Sequence, residues 1–547
     1  MCEVLRSSFE ALFPSIEKAI KQADFVAIDT EFTGLVTDGQ NRPSLFDTSE
    51  ERYRKLRNSV THLSVRQFGL SAFIKDKNSS GYEAHTYNFP LIPASFGPVD
   101  SCYIVQASST EFLCRFNFDF NKCAYEGVPF LNDVQERLLC QSIDSGALFS
   151  GLERQFDESF IQSVCSTVAQ WYVSSTVGQT LTLHKTHADA KLWNDFVIQT
   201  EVRKRFPEVW TMTDSFQNIA VMKVTPERRS ELEEKAKVDR EEEQEKLKQS
   251  LLGFTRVFRV LREYQKPLVG HNMLMDLLFL YDKFFQPLPA DYNTFKRNLH
   301  DLFPRIYDTK HISFSMRKML EAITGTFSTN LVQLYRILDS ERATISTRFM
   351  PKVTHAKGFE RYKSQDAPHE AGFDAFLCGY AFVRICHLLR FRDSTLDRGR
   401  ASSACPFNMY LATMAPFCNR INIIRATINH IKLDGKDPPS LRPEKLIVRC
   451  RKRGRRLNIQ QLAEWLSPYG TVDVRLLTPQ SALVAAGNFS CAKAIMAAFK
   501  GHQHILVTKY RFWKHSQTAK IILWGGLLVS GGVCAWAVLS ILKNSDS

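Results

Sequence analysis

The chain has no C-x-x-C pair and no zinc-finger spacing among its 13 cysteines, which excludes a small zinc-stapled module. It also lacks an apolar signal at its start. Residues 1–25 mix charge with isolated hydrophobics, so the thiols are expected to stay reduced and to face the cytosol, and a secreted disulfide scaffold is excluded. Acid is in short supply: 57 Asp+Glu stand against 71 Lys+Arg. The net charge of +14 favours a polyanionic partner or an anionic membrane surface. No internal repeat of convincing period is present, which excludes a solenoid. What remains is ordinary globular composition, 44% hydrophobic and 23% charged over 547 residues, enough for three or four folding units at roughly 150 residues each.

Uncharged apolar runs of membrane length are missing everywhere except at the end. Residues 521–542 read IILWGGLLVSGGVCAWAVLSIL, 22 residues without a charge, and at ~1.5 Å per residue a helix of that length crosses a bilayer core. Trp524 and Trp536 suit the interface, Lys520 and Lys543 flank the run, and Lys509, Arg511 and Lys514 precede it. The positive-inside rule then keeps the N-terminal part in the cytosol. The expectation is a single-pass, tail-anchored protein of the endoplasmic reticulum or the mitochondrial outer membrane, with the lipid bilayer as one partner.

Composition also marks the internal boundaries. Residues 226–250, PERRSELEEKAKVDREEEQEKLKQS, predict a charged helical spacer held by i,i+4 pairs. A polar break at 390–403 closes the unit after it. The expected organisation is a core in two parts, 1–150 and 251–395, interrupted by a small α/β module at 151–225 and the spacer. A unit at 428–510 and the 521–542 anchor follow.

Candidate chemistry starts on the first strand. Phe25-Val26-Ala27-Ile28 is a continuous apolar run, as in a strand buried on both faces, and it leads into Asp29-Thr30-Glu31-Phe32. Alternation puts Asp29 and Glu31 on one face, where two carboxylates repel unless cations join them; oxygen ligands suit Mg²⁺ or Mn²⁺. Alone, Asp-x-Glu is a common surface pair. Three later segments add to it: a short strand and turn at Leu268-Val269-Gly270-His271-Asn272 with Asp276 beyond it, a strand ending at Asp308-Thr309-Lys310, and His369-Glu370-Ala371-Gly372-Phe373-Asp374 opening an apolar helix.

The ordered set, Asp-x-Glu, an Asp after Gly-His-Asn, then His-x4-Asp, resembles the DEDD exonucleases of the histidine-containing subclass. Phe118-Asp119-Phe120-Asn121-Lys122, Gly270-His271-Asn272-Met273-Leu274, Pro287-Leu288-Pro289-Ala290-Asp291, Asp308-Thr309-Lys310 and His369-Glu370-Ala371-Gly372 look like stretches of the poly(A)-specific ribonuclease family. The resemblance covers residues 4–389 and implies a ribonuclease-H-like α/β core working with two divalent metal ions on the 3′ end of single-stranded RNA. It assigns Asp29, Glu31, Asp276 and Asp374 to the metals, His369 to the proton of the attacking water, Lys310 to the scissile phosphate, and Phe32 and Asn272 to the terminal nucleotides. The C-terminal anchor resembles the membrane-bound branch of the family that trims precursors of PIWI-interacting RNA. That branch implies a germ-line role in spermatogenesis and meiosis, with PIWI proteins and a Tudor-domain adaptor as partners, and the wider family implies a homodimer. A general poly(A) deadenylase and a catalytically silent membrane-bound RNA scaffold are the alternatives.

The accessory units carry weaker signals. The family's Arg-x-x-x-His single-strand motif is absent from 151–224, where Leu181 to His187 and Val202 to Phe206 stand instead. Residues 428–510 predict a β-α-β-β-α-β order resembling a degenerate RNA-recognition fold. Its central strands offer Val448, Val484 and Ala486 and no aromatic platform, so base stacking is not expected. Arg449, Arg451, Lys452, Arg453, Arg455 and Arg456 are candidates for phosphate or lipid headgroups.

Overall fold

The structure, a computed structural model, describes residues 3–76, 81–96, 99–144, 155–184, 195–214, 218–235, 237–345, 349–364, 366–391, 405–452, 456–516, 518–519, 521–522 and 533. The 521–542 anchor lies outside the described residues apart from Ile521, Ile522 and Val533. So do most of the 390–403 break, residues 185–187, and Arg453 and Arg455. Two compact units form. One comprises Met1–Asn41, Leu56–Asn422 and Lys432–Lys436; the other comprises Arg42–Lys55, Ile423–Ile431 and Asp437–Ser547.

In the first unit, helix Phe9–Gln22 buries Phe9, Ile16, Ala19 and Ile20 and hands the chain to β1 (Phe25–Phe32). Strands β2 (Val65–Lys75) and β3 (Tyr82–Pro93) follow as antiparallel neighbours, and β4 (Val128–Phe130) runs parallel to the end of β3. On the other side of β1 lie β8 (Leu268–Gly270), β9 (Ile306–Asp308) and β11 (Arg420–Asn422), all parallel. Strand β10 (Val353–His355) pairs with β3, so the sheet reads β10-β3-β2-β1-β8-β9-β11. Three antiparallel strands followed by parallel ones put β1 in the middle. Its apolar residues Phe25 to Ile28 are at most 1% exposed, as the sequence run requires.

Helix Ala371–Phe391 is apolar and long enough to cross a membrane, but it crosses β1 and β2 and is buried nearly throughout. Two glycines let it approach. A Cβ on Gly379 would fall 2.0 Å from the Phe73 ring, and one on Gly69 would fall 1.9 Å from the carbonyl oxygen of Ala371. The helix start is held by the Gln67 side chain, which accepts from the Ala371 N–H at 2.9 Å, and by Asn88 Oδ1, which accepts from Gly372 N–H at 3.0 Å.

Between β4 and β8 the chain builds a three-stranded sheet, β5 (Thr180–Leu183), β7 (Ile219–Lys223) and β6 (Val209–Thr213), in that order, with helices Gln155–Ser174 and Asp195–Arg205. Two of its basic residues are spent on internal contacts, whereas Lys204 and Arg205 are exposed. Arg203 stacks 3.8 Å over Trp210 and donates to Thr211 and Gln199, and Lys223 donates to the carbonyls of Tyr172 and Ser175. The charged spacer forms helices Pro226–Lys235 and Lys237–Leu252 with i,i+4 pairs such as Arg229–Glu233 at 2.9 Å. It is not solvated along its whole length, because Leu247 and Leu252 bury themselves in the cluster containing Val168, Ile198 and Val221.

The second unit shows β12 (Leu446–Cys450), helix Ile459–Leu466, β13 (Val472–Thr478), β14 (Ser481–Ala486), helix Phe489–Ala498 and β15 (Ile505–Lys509), with sheet order β13-β14-β12-β15. One expectation is corrected here. Val448, Val484 and Ala486 do not lie on an open binding face but pack into the core with Leu462, Leu466 and Ile495. Alternation gives the opposite face to Ile447, Leu483 and Ala485, and Leu45 and Phe46 cover Ala485 and Leu483. Arg475 and Lys445 lie over the Phe46 ring at 4.6 and 5.5 Å. Of the basic cluster, Arg451 spends its guanidinium on the His502 carbonyl at 2.8 Å.

Candidate active site

The C-terminal end of β1 carries Asp29 and Glu31 on one face, with Asp29 paired across to Gly69 and Glu31 to Gln67. Because Gly69 has no side chain, the 371–391 helix begins directly above it and presents Asp374 in its first turn. Asp276 arrives on the helix Leu274–Phe284 that follows β8 and is 7% exposed. The hydroxyl of Thr30, between Asp29 and Glu31 on β1, donates to Asp276 Oδ1, and the Asp276 charge acts on both Asp29 and Glu31. The four carboxylates therefore converge from three elements. Ligand atoms of Glu31, His369 and Asp374 all lie within 4.8 Å of one another.

The electrostatics follow from this crowding. Burial first, then the Asp374, Asp276 and Glu31 charges, push Asp29 well above the usual carboxylate range, and the same burial with Asp374 and Asp276 does so for Glu31. Asp276 and Asp374 rise to about 7, chiefly by burial. Asp374 Oδ2 accepts from the His369 backbone N–H at 3.1 Å, whereas its Oδ1 is buried with no hydrogen-bond partner. A cluster of buried oxygens that repel one another, one of them unsatisfied, fits hard divalent cations. Asp29, Glu31, Asp276 and Asp374 are the residues that would hold them.

His369 has φ of +65°, a left-handed conformation that turns the chain sharply before the helix. Its ring lies against Phe112 and Phe116, with centroids 4.6 and 4.2 Å away. Burial lowers its pKa below the ordinary value, which keeps the imidazole neutral and able to accept a proton. The two phenylalanines, 41% and 39% exposed, were not singled out by the sequence reading. Their only signal is i,i+4 spacing at the end of a short helix, which does not specify what they face.

Lys310 and Asn272 join the site through Asp308, a further residue that the sequence reading left without a role. Fully buried, Asp308 accepts from the backbone N–H groups of Asn272, Met273, Lys310, His311 and Asn422 at 2.9 to 3.4 Å. One carboxylate thereby ties the turn after β8 to the helix after β9 and to β11. Asn272 is left-handed at φ +61°, and its Oδ1 accepts from Asn422 Nδ2 at 2.6 Å. Lys310 is half-buried; desolvation lowers its pKa while Asp308 raises it. His271, pushed down to about 3 by burial and by the Lys310 charge, stays neutral between Thr309 Oγ1 and the Thr329 carbonyl, each 2.9 Å away. The Phe32 ring stacks on Phe279 with centroids 4.3 Å apart, which fixes its plane next to Glu31.

The model of the CAF1 family ribonucleases matches residues 4–382. The pre-piRNA 3′-exonuclease trimmer of Bombyx mori is 32% identical over 544 residues, 99% of either chain. The poly(A)-specific ribonuclease PNLDC1 of Homo sapiens is 35% identical over 524 residues, 95% of this chain and 97% of that one. Among solved structures, S. pombe Pop2p in its Mg²⁺- and Mn²⁺-bound form aligns with 72% of this chain and 95% of its own, at 16% identity and a TM-score of 0.35. On the family match and on identities that run along nearly its whole length, the chain belongs to the CAF1 family of ribonucleases, 3′-to-5′ exonucleases with a ribonuclease-H-like α/β core.

Proposed function

We propose that the chain is a divalent-metal-dependent exoribonuclease that trims the 3′ ends of PIWI-interacting RNA precursors. It would be anchored through 521–542 in the endoplasmic reticulum or mitochondrial outer membrane. The observation that carries the enzyme is the convergence of Asp29, Glu31, Asp276 and Asp374 beside His369. The similarity to the Bombyx mori trimmer, spanning 99% of both chains, supports the substrate. Mg²⁺ or Mn²⁺ bound by these carboxylates would supply charge neutralisation at the attacking and leaving oxygens of the phosphodiester. The neutral His369 imidazole takes the proton from the attacking water. Phe112 and Phe116 fix that ring and shield it from solvent, and the Lys310 ammonium, held by the helix that Asp308 caps, offsets phosphate charge. PIWI proteins and a Tudor-domain adaptor are the partners this reading calls for.

A poly(A) requirement is the second reading, favoured by the similarity to PNLDC1 and PARN, both named poly(A)-specific ribonucleases. Incubating the full chain with 5′-labelled RNAs, naked or PIWI-loaded, with mixed or oligo(A) 3′ extensions, separates the two. Trimming of mixed extensions under Mg²⁺, abolished by EDTA and by Glu31→Ala, is the expected result. Shortening of oligo(A) alone would establish the deadenylase, and full activity of Glu31→Ala would sink the site. A full chain that high-salt washing releases from membranes as readily as one deleted for 521–542 would refute the anchor.

A further inference from the structure

We propose that Phe314 is a stacking platform for one nucleobase of the RNA strand, upstream of the nucleotide being removed, and that Arg317 and Lys318 hold the backbone carrying it. The proposal deepens the exoribonuclease reading and rests on it. Helix Thr309–Ser315 starts at the Asp308 cap and buries its inner side: Ile312 and Ser313 are 0% exposed. Phe314 is the exception at 53% exposed, and among the described residues no other ring touches it. It stands four residues after Lys310, so the two side chains are neighbours on one helix face, about 5–6 Å apart at Cβ. An aromatic face left in water next to the half-buried lysine of the site has no packing role that explains it.

The surroundings specify the occupant. Phe314 and the residues Ser315 to Met319 line a surface hollow of about 470 Å³. Met316 and Met319 pack onto the core beneath and form its floor, and Arg317 and Lys318 are exposed at its rim. No acidic residue lines the hollow; Glu321, four residues on, pairs with Arg317 at 3.7 Å, an exposed and weak pair that a phosphate can displace. One aromatic face, an apolar floor and two cations together are what a single-stranded nucleic acid needs, base on ring and phosphate on cation. Continuity with Lys310 makes the reacting strand itself the occupant.

The test is a binding measurement on the metal-free full chain, in which RNA stays intact, using oligoribonucleotides with one abasic site moved stepwise back from the 3′ end. For the parent, one position is expected to weaken binding about ten-fold. Phe314→Ala is expected to lose the same factor on intact RNA and to be indifferent to the abasic site at that position, the two losses being non-additive. Phe314→Trp keeps the affinity, whereas Phe314→Leu, which keeps bulk and tests the point should the alanine variant melt early, loses it. Additive losses, or unchanged affinity in both Ala and Leu variants, overturn the proposal. So does a change in solution mass without an RNA effect, which would give the face to a second copy of the chain. RNA decay by Glu31→Ala would sink the exoribonuclease reading and leave this binding cycle intact.

Discussion

Gly69 and Ala371 are in backbone contact that excludes any side chain: a methyl group at Gly69 would sit 1.9 Å from the Ala371 carbonyl oxygen and 2.5 Å from the Gly372 nitrogen. Gly69 is also the residue paired with Asp29 across β1 and β2. The contact therefore sets how far Asp374 stands from Asp29. Gly69→Ala is expected to lift the helix start by about 1 Å or more and to cost roughly 100-fold in RNA hydrolysis, because positioning errors of that size have such effects. The loss of stability should be modest, about 1–3 kcal/mol for one forced methyl. Hydrolysis rates beside a thermal melt check this; a variant with full activity would show that the helix start does not position Asp374.

The four carboxylates predict opposite effects of one substitution with and without metal. In the metal-free protein, Asp374→Asn removes one of several buried charges that repel each other and should raise the melting temperature. Adding Mg²⁺ should stabilise the parent, by about 2.7 kcal/mol at a hundred-fold excess over its dissociation constant, and stabilise the variant far less. Melting curves in EDTA and across a Mg²⁺ titration measure both. Equal Mg²⁺ shifts in parent and variant would remove Asp374 from the metal site.

Protons compete with cations for the same oxygens. Asp276 and Asp374 sit at about 7 without metal, above their unfolded values, so the folded state binds more protons than the unfolded one from about pH 4 to 7. Metal-free stability is then greatest below that window and falls as pH rises through it. Mg²⁺ reverses the trend by favouring the ionised forms. In activity, raising Mg²⁺ should move the acid-side midpoint of the rate profile to lower pH, towards the lowered value of His369. An acid limb that ignores Mg²⁺ would mean that these carboxylates do not titrate in competition with metal.

How much of this is visible in the sequence depends on the range of the interaction. The buried run 25–28, the alternation that pairs Asp29 with Glu31, and the apolar helix after His369 are local patterns, and the structure has each of them. The order of strands and helices in 446–509 is equally local. What could not be read is whatever depends on a partner far along the chain. Asp308 collects N–H groups from residues as distant as Asn422, and Gly69 matters only because of Ala371. Phe112 and Phe116 acquire meaning from His369. That Val448, Val484 and Ala486 lie under the helices and not on the outer sheet face was hidden for a related reason: alternation tells which residues share a face, not which face the helices cover.

Arg52 tests the unit whose open sheet face Leu45 and Phe46 cover. Only 3% exposed, it pairs with Asp47 at 3.1 Å and donates to the carbonyls of Ser44, Ile424 and Arg425, so the segment 44–47 is clamped to the loop at 424–425. Asp473 continues the clamp, accepting from the Leu45 N–H at 2.5 Å and pairing with Arg425. Arg52→Ala takes the guanidinium from three carbonyls and from Asp47, which keeps Lys55 at 2.8 Å and the Ser44 N–H at 2.9 Å, and should cost about 2–4 kcal/mol. Arg52→Lys, which cannot fan donors to four oxygens, should recover only a small part. Amide exchange resolves the effect: protection at Leu45, whose N–H bonds Asp473, should fall with that of Thr427, whose N–H donates to the Asp47 carbonyl at 2.9 Å. Protection unchanged at both amides would mean that the segment is held by its apolar contacts alone and that Phe46, not Arg52, is the anchor.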